Sequence, residues 1–140
     1  MLRNLKKLDP SLTDTAYLQV PTCLDGERKV LDVLSVTGSG RLVVLELKAD
    51  KDLDLIFQGL DYWERVSHHA RRGDFQRAGY FPDVRLSDQP PLLYLVSPLF
   101  EFHRVLPALR RYLKPEVTFS CIGVNTDWRR GLKILRRFEF

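Results

Sequence analysis

Between Lys29 and Lys48 the chain carries two runs rich in Val and Leu, Lys29 to Val36 and Arg41 to Lys48, joined by Thr37-Gly38-Ser39-Gly40. Two apolar, β-branched runs separated by a short Gly-containing segment read as a β-hairpin, because glycine supplies the positive φ that tight turns require. The second run is apolar on both faces, with Val43, Leu45 and Leu47 on one and Leu42 and Val44 on the other. A strand with no water-facing side belongs in the middle of a sheet. Side chains alternate with period two, so the hairpin's register decides which residues share a face. With the turn centred on Ser39, Asp32 lies seven residues before the centre and Glu46 seven after. The two carboxylates therefore pair across the strands and point the same way.

That arrangement needs compensation. Directly opposed residues have Cβ atoms about 4.5 to 5.5 Å apart, and like charges there destabilise a sheet. Lys48 is one source of positive charge, since parity puts it on the face of Glu46. A divalent cation is another. A site of few carboxylates with open positions suits Mg²⁺ or Mn²⁺, which retain several waters and accept phosphate oxygens as ligands. Such a metal stabilises charge on a phosphate and generates hydroxide from its water, and a neighbouring lysine can orient or deprotonate that water. The plain alternative is an Asp-Lys-Glu salt-bridge cluster that stabilises only the strand end. Against it, the acids interrupt strands that are otherwise apolar, where unpaired charge is costly.

Around the hairpin the pattern is mixed α/β. Ala16 to Leu24 predicts a first strand, at a sheet edge because Pro21 cannot donate to a ladder, and Asp25-Gly26 turns the chain into the hairpin. Residues 1–15 show no clear periodicity and read as an irregular or weakly helical lead-in. From Asp52 the period changes: Leu53, Ile56, Phe57, Leu60 and Trp63 recur at helical spacing to about His69, with Asp50 or Asp52 as N-cap. Gly73 to Pro91 reads as loop with at most a short helical turn. Leu92 to Val96 predicts a strand, Phe100 to Leu113 a helix stopped by Pro115, and Val117 to Val124 and Leu132 to Phe138 two final strands around Asn125-Thr126-Asp127. The expected order is β-β-β-α-β-α-β-β, a mixed sheet flanked by helices in one domain spanning residues 1–140.

Leu31-Asp32 followed by Val43-Val44-Leu45-Glu46-Leu47-Lys48 resembles the D…(D/E)xK signature of the PD-(D/E)XK nuclease superfamily, in which the second acid and the lysine lie on a central strand. The following helix contains Gln58-Gly59-Leu60-Asp61-Tyr62, and its Gln-x-x-x-Tyr resembles the motif of the RecB-like branch. Gln58 and Tyr62 stand at i and i+4, on one helical face. The resemblance covers roughly Ala16 to Val96 and implies a restriction-endonuclease-like fold and Mg²⁺- or Mn²⁺-dependent phosphodiester cleavage, with DNA as substrate. It further implies that Asp32, Glu46 and a backbone carbonyl near Leu47 hold the metal and that Lys48 assists the attacking water. Gln58 would hold the lysine, a metal-bound water or a phosphate, and Tyr62 would contact the substrate backbone. Many members carry a further acid on a helix before the first strand, and here residues 1–15 offer Asp9 and Asp14.

Charge is unevenly distributed. Residues 1–67 carry nine Lys/Arg against eleven Asp/Glu, a balance of −2, and residues 68–140 thirteen against seven, a balance of +6, which together give the formal +4. The basic excess is almost all arginine, and Arg71-Arg72 and Arg129-Arg130 are candidate phosphate contacts, the guanidinium fork being matched to phosphate. Trp128, beside the second pair, could stack on a base or ribose, or simply pack at its turn. On composition alone, a solvated basic surface is the better account of the arginines. His68 and His69 read as favourable charge at a helix C-terminus, His103 as structural, and Cys23 and Cys121 as buried thiols. No apolar run is long enough to cross a bilayer, and the basic N-terminus lacks the apolar stretch of a signal peptide, so the expected location is cytoplasmic. A homodimer would let two sites cut both strands of a duplex. The competing function is a nucleic-acid-binding or assembly module that keeps the fold without competent chemistry.

Overall fold

The hairpin forms from β2 (Glu27–Thr37) and β3 (Leu42–Leu47), antiparallel, with Val33 opposite Leu45, Leu34 opposite Val44, Ser35 opposite Val43 and Val36 opposite Leu42. In the computed structural model, which describes residues 2–48, 54–98 and 105–140, this pair lies inside a six-stranded open sheet whose strands follow sequence order. β1 (Leu12–Leu24) flanks β2 antiparallel at one edge. On the other side β4 (Leu92–Pro98) runs parallel to β3, β5 (Thr118–Val124) parallel to β4, and β6 (Ile134–Glu139) antiparallel to β5 at the far edge. The protein is thus α/β with a mixed sheet.

Parallel neighbours need a crossover. Between β3 and β4 it is α2 (Asp54–Arg71), which packs on one face of the sheet. There Leu55, Ile56, Trp63 and Val66 close over Val44, Leu93, Leu95 and Phe119. Gly59 sets the approach, for a Cβ at that position would lie 2.8 Å from Leu95 Cδ2 and 3.2 Å from Leu93 Cδ1. The opposite face buries Val33, Val43, Leu45, Tyr94, Val96 and Ile122 under α1 (Leu5–Leu8) and the turn carrying Leu132. Two further single-turn helices, α3 (Asp74–Arg77) and α4 (Leu106–Leu109), lie in the connections before β4 and β5. No helix among the described residues is long and apolar enough to cross a membrane.

Several expectations are corrected. The lead-in is helical as expected where described, a 3-10 turn at Leu2–Asn4 leading into α1, but β1 begins at Leu12 rather than Ala16. Leu5, Leu8 and Leu12 are buried, but one helical turn is too short to show a period in sequence. Phe57, placed on the buried stripe of α2, is 55% exposed, because the helix is rotated to bring Gly59 onto the sheet. Of the helix expected over Phe100 to Leu113, the described part is α4 and a 3-10 turn at Arg110–Tyr112. Cys23 is exposed at the sheet edge, while Cys121 is buried as expected. His69 lies in the last turn of α2, as expected, and also links neighbouring elements. Its Nδ1 bonds Asp74 Oδ2 at 2.7 Å, and its Nε2 accepts the Cys23 backbone N–H at 3.1 Å, tying α2 and α3 to β1. The N-cap candidates Asp50 and Asp52, and His103, lie outside the described residues.

Candidate active site

One register step beyond Val33 and Leu45, Asp32 stands opposite Glu46 at the end of the hairpin. Both side chains reach across to the partner strand. The Asp32 backbone N–H donates to Glu46 Oε1 at 3.3 Å, and the Leu47 N–H donates to Asp32 Oδ2 at 3.2 Å. These reciprocal bonds hold the carboxylates in place where the ladder runs out. Glu46 is buried, and its carboxyl is pushed up to about 8, by burial first and by the Asp32 carboxylate second. A buried acid beside a second acid favours its proton, because burial withholds solvent from the charge and the second carboxylate repels it.

α2 covers this pair from above. Gln58, Tyr62, Arg65 and His69 follow one another at helical spacing, and the bonds of Arg65 to Glu27 and of His69 to the Cys23 backbone turn that stripe toward β1 and β2. Tyr62 is half-buried within it, and its phenol is held above the ordinary range by burial and then by the charges of Glu46 and Asp32. Gln58, one turn earlier, is exposed at the start of the same stripe.

Lys48 follows Leu47 at the carboxyl end of β3, where its N–H donates to Val96 O at 3.0 Å and joins it to the end of β4. A cavity of about 230 Å³ opens there, shared by Lys48, Ser97, Trp128 and Arg129. Of the four candidate arginines, Arg129 reaches this end of the sheet, with its guanidinium 5.2 Å from the Trp128 ring centre, and Arg130 is exposed in the same turn. Arg71 and Arg72 do not, because Arg71 ends α2 about 13 Å of helix axis beyond Tyr62 and Arg72 follows it. Arg71 lines a separate cavity of about 670 Å³ at the other end of the strands, and Arg72 lies 3.5 Å from Asp74. That larger cavity mixes Arg71 and Lys114 with Glu64, Asp88 and Glu116 and is remote from the carboxylate pair.

Neither N-terminal acid joins Asp32 and Glu46. Asp9 follows α1 on the opposite face of the sheet, where it bonds the Tyr94 hydroxyl and the Ser11 N–H and lies 3.6 Å from Arg137. Asp14 pairs with Lys6 at the surface. Among the described residues no three His, Cys, Asp or Glu side chains converge on one point, and Asp32 and Glu46 are the carboxylates brought together at this strand end. Their chemistry fits a divalent cation. A cation between them would displace the proton that burial and repulsion favour on Glu46, and Mg²⁺ takes its remaining positions from water and substrate. The Leu47 carbonyl, next in the chain, is the third group at that strand end.

Sequence reasoning missed the ionic cluster beside Tyr62. Arg65, 1% exposed, donates to Glu27 O at 2.8 Å, Glu27 Oε2 at 2.9 Å and Asp61 Oδ2 at 3.2 Å, and Lys29 Nζ meets the same Asp61 oxygen at 2.9 Å. Burial pushes the Asp61 carboxyl up, but the bonds from Lys29 and Arg65 outweigh it and leave Asp61 below its ordinary value. The i, i+4 spacing of Asp61 and Arg65 was the available signal. In comparisons with known proteins, no family model, no curated sequence and no solved structure matches this chain.

Proposed function

We propose that the chain is a divalent-metal-dependent nuclease domain of the PD-(D/E)XK kind, with a restriction-endonuclease-like fold, that hydrolyses phosphodiester bonds in DNA. The observation that carries this reading is the buried Glu46 locked against Asp32 at the strand end by reciprocal backbone bonds, with Lys48 two residues on. Two carboxylates held side by side, one of them buried, are a pair of oxygen ligands for a divalent cation. The position supports the same reading, because open α/β sheets bind ligands beyond the carboxyl ends of their parallel strands.

In this reading Asp32, Glu46 and the Leu47 carbonyl hold Mg²⁺ or Mn²⁺. When bound, the ion supplies Lewis-acid stabilisation of the phosphate and acidifies water. Lys48 assists the attacking water. Tyr62, neutral throughout the physiological range, donates a hydrogen bond to the phosphate backbone. Gln58 holds the lysine, a water or a phosphate oxygen. Arg129 and Arg130 contact flanking phosphates.

Purified protein should nick or degrade DNA with Mg²⁺ or Mn²⁺ and not with EDTA, and Asp32→Ala or Lys48→Ala should each abolish cleavage. Activity that survives both substitutions rejects the mechanism. A second reading, a nucleic-acid-binding or assembly module, is favoured by the engagement of Asp9 with Tyr94 on the far face, which keeps that acid from joining the carboxylate pair. It predicts DNA binding that weakens steeply with salt and is never followed by cleavage.

A further inference from the structure

From Ala16 opposite Ser35 to Leu24 opposite Glu27, β1 keeps one register on β2, with Leu18 opposite Val33 and Val20 opposite Leu31. The step between those two pairs sets Gln19 opposite Asp32. Side chains of a regular strand alternate between faces. Up to this step they do: Tyr17 and Leu34 pack in the cluster under α2, and Val33 in the cluster on the other face. Continued alternation would turn Val20 and Leu31 away from α2. Both are instead buried in the α2 cluster, Lys29 beyond them meets Asp61 of α2 at 2.9 Å, and Pro21 and Val30 are exposed. Alternation thus inverts on both strands at the Gln19–Asp32 step while the pairing register stays the same. β2 parts from β3 at the same place, after Val33 opposite Leu45. The outer half of the hairpin, residues 20–31, folds onto α2, where Arg65 bonds Glu27 and His69 bonds the Cys23 N–H.

Gln19 has φ 53°, and of the three non-glycine residues with positive φ among the described residues it is the one inside a strand. A β-carbon crowds the backbone in that region, so the conformation costs free energy and persists only where the surrounding structure enforces it. The Gln19 side chain is exposed, so the enforcement comes from the docking of the outer hairpin on α2 and not from the packing of Gln19 itself. Asp32 shares the bend. Side chains of a straight strand stand roughly perpendicular to the sheet, whereas the Asp32 carboxyl reaches along it to the Leu47 N–H at 3.2 Å, and its own N–H meets Glu46 Oε1 at 3.3 Å. From this geometry we infer that Gln19 is a positioning residue for Asp32: its left-handed backbone bends the hairpin at the point where Asp32 must turn toward Glu46 and Leu47. That this bend prepares a metal site rests on the nuclease reading. That it aims Asp32 does not.

The test substitutes position 19 in the full chain and reads the Leu47 amide by NMR, in shift and in hydrogen-exchange protection, together with Mn²⁺ affinity by calorimetry. Glycine and asparagine tolerate left-handed φ, and β-branched residues resist it. Gln19→Gly and Gln19→Asn should therefore keep the Leu47 amide and the Mn²⁺ Kd of the wild type. Gln19→Val should move the amide toward its position in Asp32→Ala, remove its protection and weaken Mn²⁺ by about tenfold, the scale of a lost support to a metal ligand. Gln19→Thr, β-branched but polar at this exposed position, should give the same result from a gentler change. Gly26→Ala strains the tip of the same hairpin without touching the bend and should leave both readings alone, which separates aiming from general destabilisation. An unchanged Leu47 amide in Gln19→Val and Gln19→Thr overturns the inference, as does a Gln19→Gly variant that loses Mn²⁺ as fully as Gln19→Val. If the wild type binds no Mn²⁺, the nuclease reading fails and the Leu47 amide alone decides whether Gln19 aims Asp32.

Discussion

Asp32 and Glu46 each hold the other's strand: the Asp32 backbone N–H bonds the Glu46 carboxyl, and the Asp32 carboxyl bonds the N–H of Leu47, the residue after Glu46. The exchange closes the hairpin one step past the last ladder pair, Val33 and Leu45. It also holds two acids together in a place that burial makes hostile to charge. The backbone bonds compensate part of that repulsion, and the proton favoured on Glu46 compensates the rest.

Glu46 should therefore make the metal-free protein less stable as pH rises. Its folded value of about 8 lies above the ordinary 4.5, so the folded state binds more protons than the unfolded state between those limits. Its stabilising contribution is complete below about pH 4.5 and is lost as pH climbs through about 8. Glu46→Gln removes the titration, and in EDTA it should exceed wild type by on the order of 2–4 kcal/mol at pH 8.5 while differing little at pH 4.5. Urea unfolding of both proteins across that range checks it; parallel profiles would show that Glu46 titrates normally.

Metal should act in the opposite direction. A divalent cation at this pair displaces the Glu46 proton, so binding releases a proton and tightens with pH. Mn²⁺ at a hundred times its Kd should stabilise the protein by about 2.7 kcal/mol, with the Kd itself falling from pH 6 to pH 8.5. Asp32→Asn and Glu46→Gln should both lose the effect. Thermal melts with and without Mn²⁺, in two buffers of different ionisation enthalpy for the calorimetric proton count, read both quantities.

Arg65 should prove the most sensitive charged position for stability. Three acceptors from two elements meet its buried guanidinium, and truncation to Ala leaves Asp61 and the Glu27 carbonyl without that partner and a void under α2. A loss of about 3–5 kcal/mol is expected from Arg65→Ala. Arg65→Lys should recover less than half, because one ammonium cannot span the separate positions that the planar fork reaches. The Asp61 contribution, that of a lowered carboxyl, is present above the ordinary carboxylate pKa and fades as pH falls, so the gap between wild type and Arg65→Ala should narrow in acid. Urea midpoints at pH 7 and pH 3.5 measure it.

The hairpin was legible because period-two alternation and a glycine turn overdetermine register: once Ser39 is the centre, Asp32 can face only Glu46. α2 was legible as a helix but not in phase. Its closest approach to the sheet is made by Gly59, which has no side chain and therefore no hydrophobic signal, so Phe57 was counted inward and is found in solvent. Arg65 escaped for the complementary reason, since pattern reading assigns a charge to the surface and cannot see acceptors arriving from Glu27, 38 residues away. Asp9, by contrast, was noticed but could not be placed. Only the path of β1 puts it against Tyr94, on the face away from Glu46.

The hairpin turn offers a last test, in which two glycines of similar φ should behave differently. Gly40, at φ 90°, accepts the Ser87 N–H at 2.8 Å, and a Cβ there would stand 2.0 Å from the Arg85 carbonyl oxygen. Gly26, at φ 78°, has nothing within 4 Å of its Cβ position. Left-handed backbone strain is common to both, so Gly26→Ala should cost about 1 kcal/mol. Gly40→Ala adds a clash with rigid backbone that no rotamer relieves, and an additional 1–3 kcal/mol is expected as the 85–87 segment is pushed from the hairpin. The displacement has a local signature: in Gly40→Ala the Ser87 amide should lose its hydrogen-exchange protection, while in Gly26→Ala it should keep it. Equal destabilisation by the two substitutions would mean that φ alone governs the turn and that the packing of the 85–87 segment contributes nothing to holding Asp32 opposite Glu46.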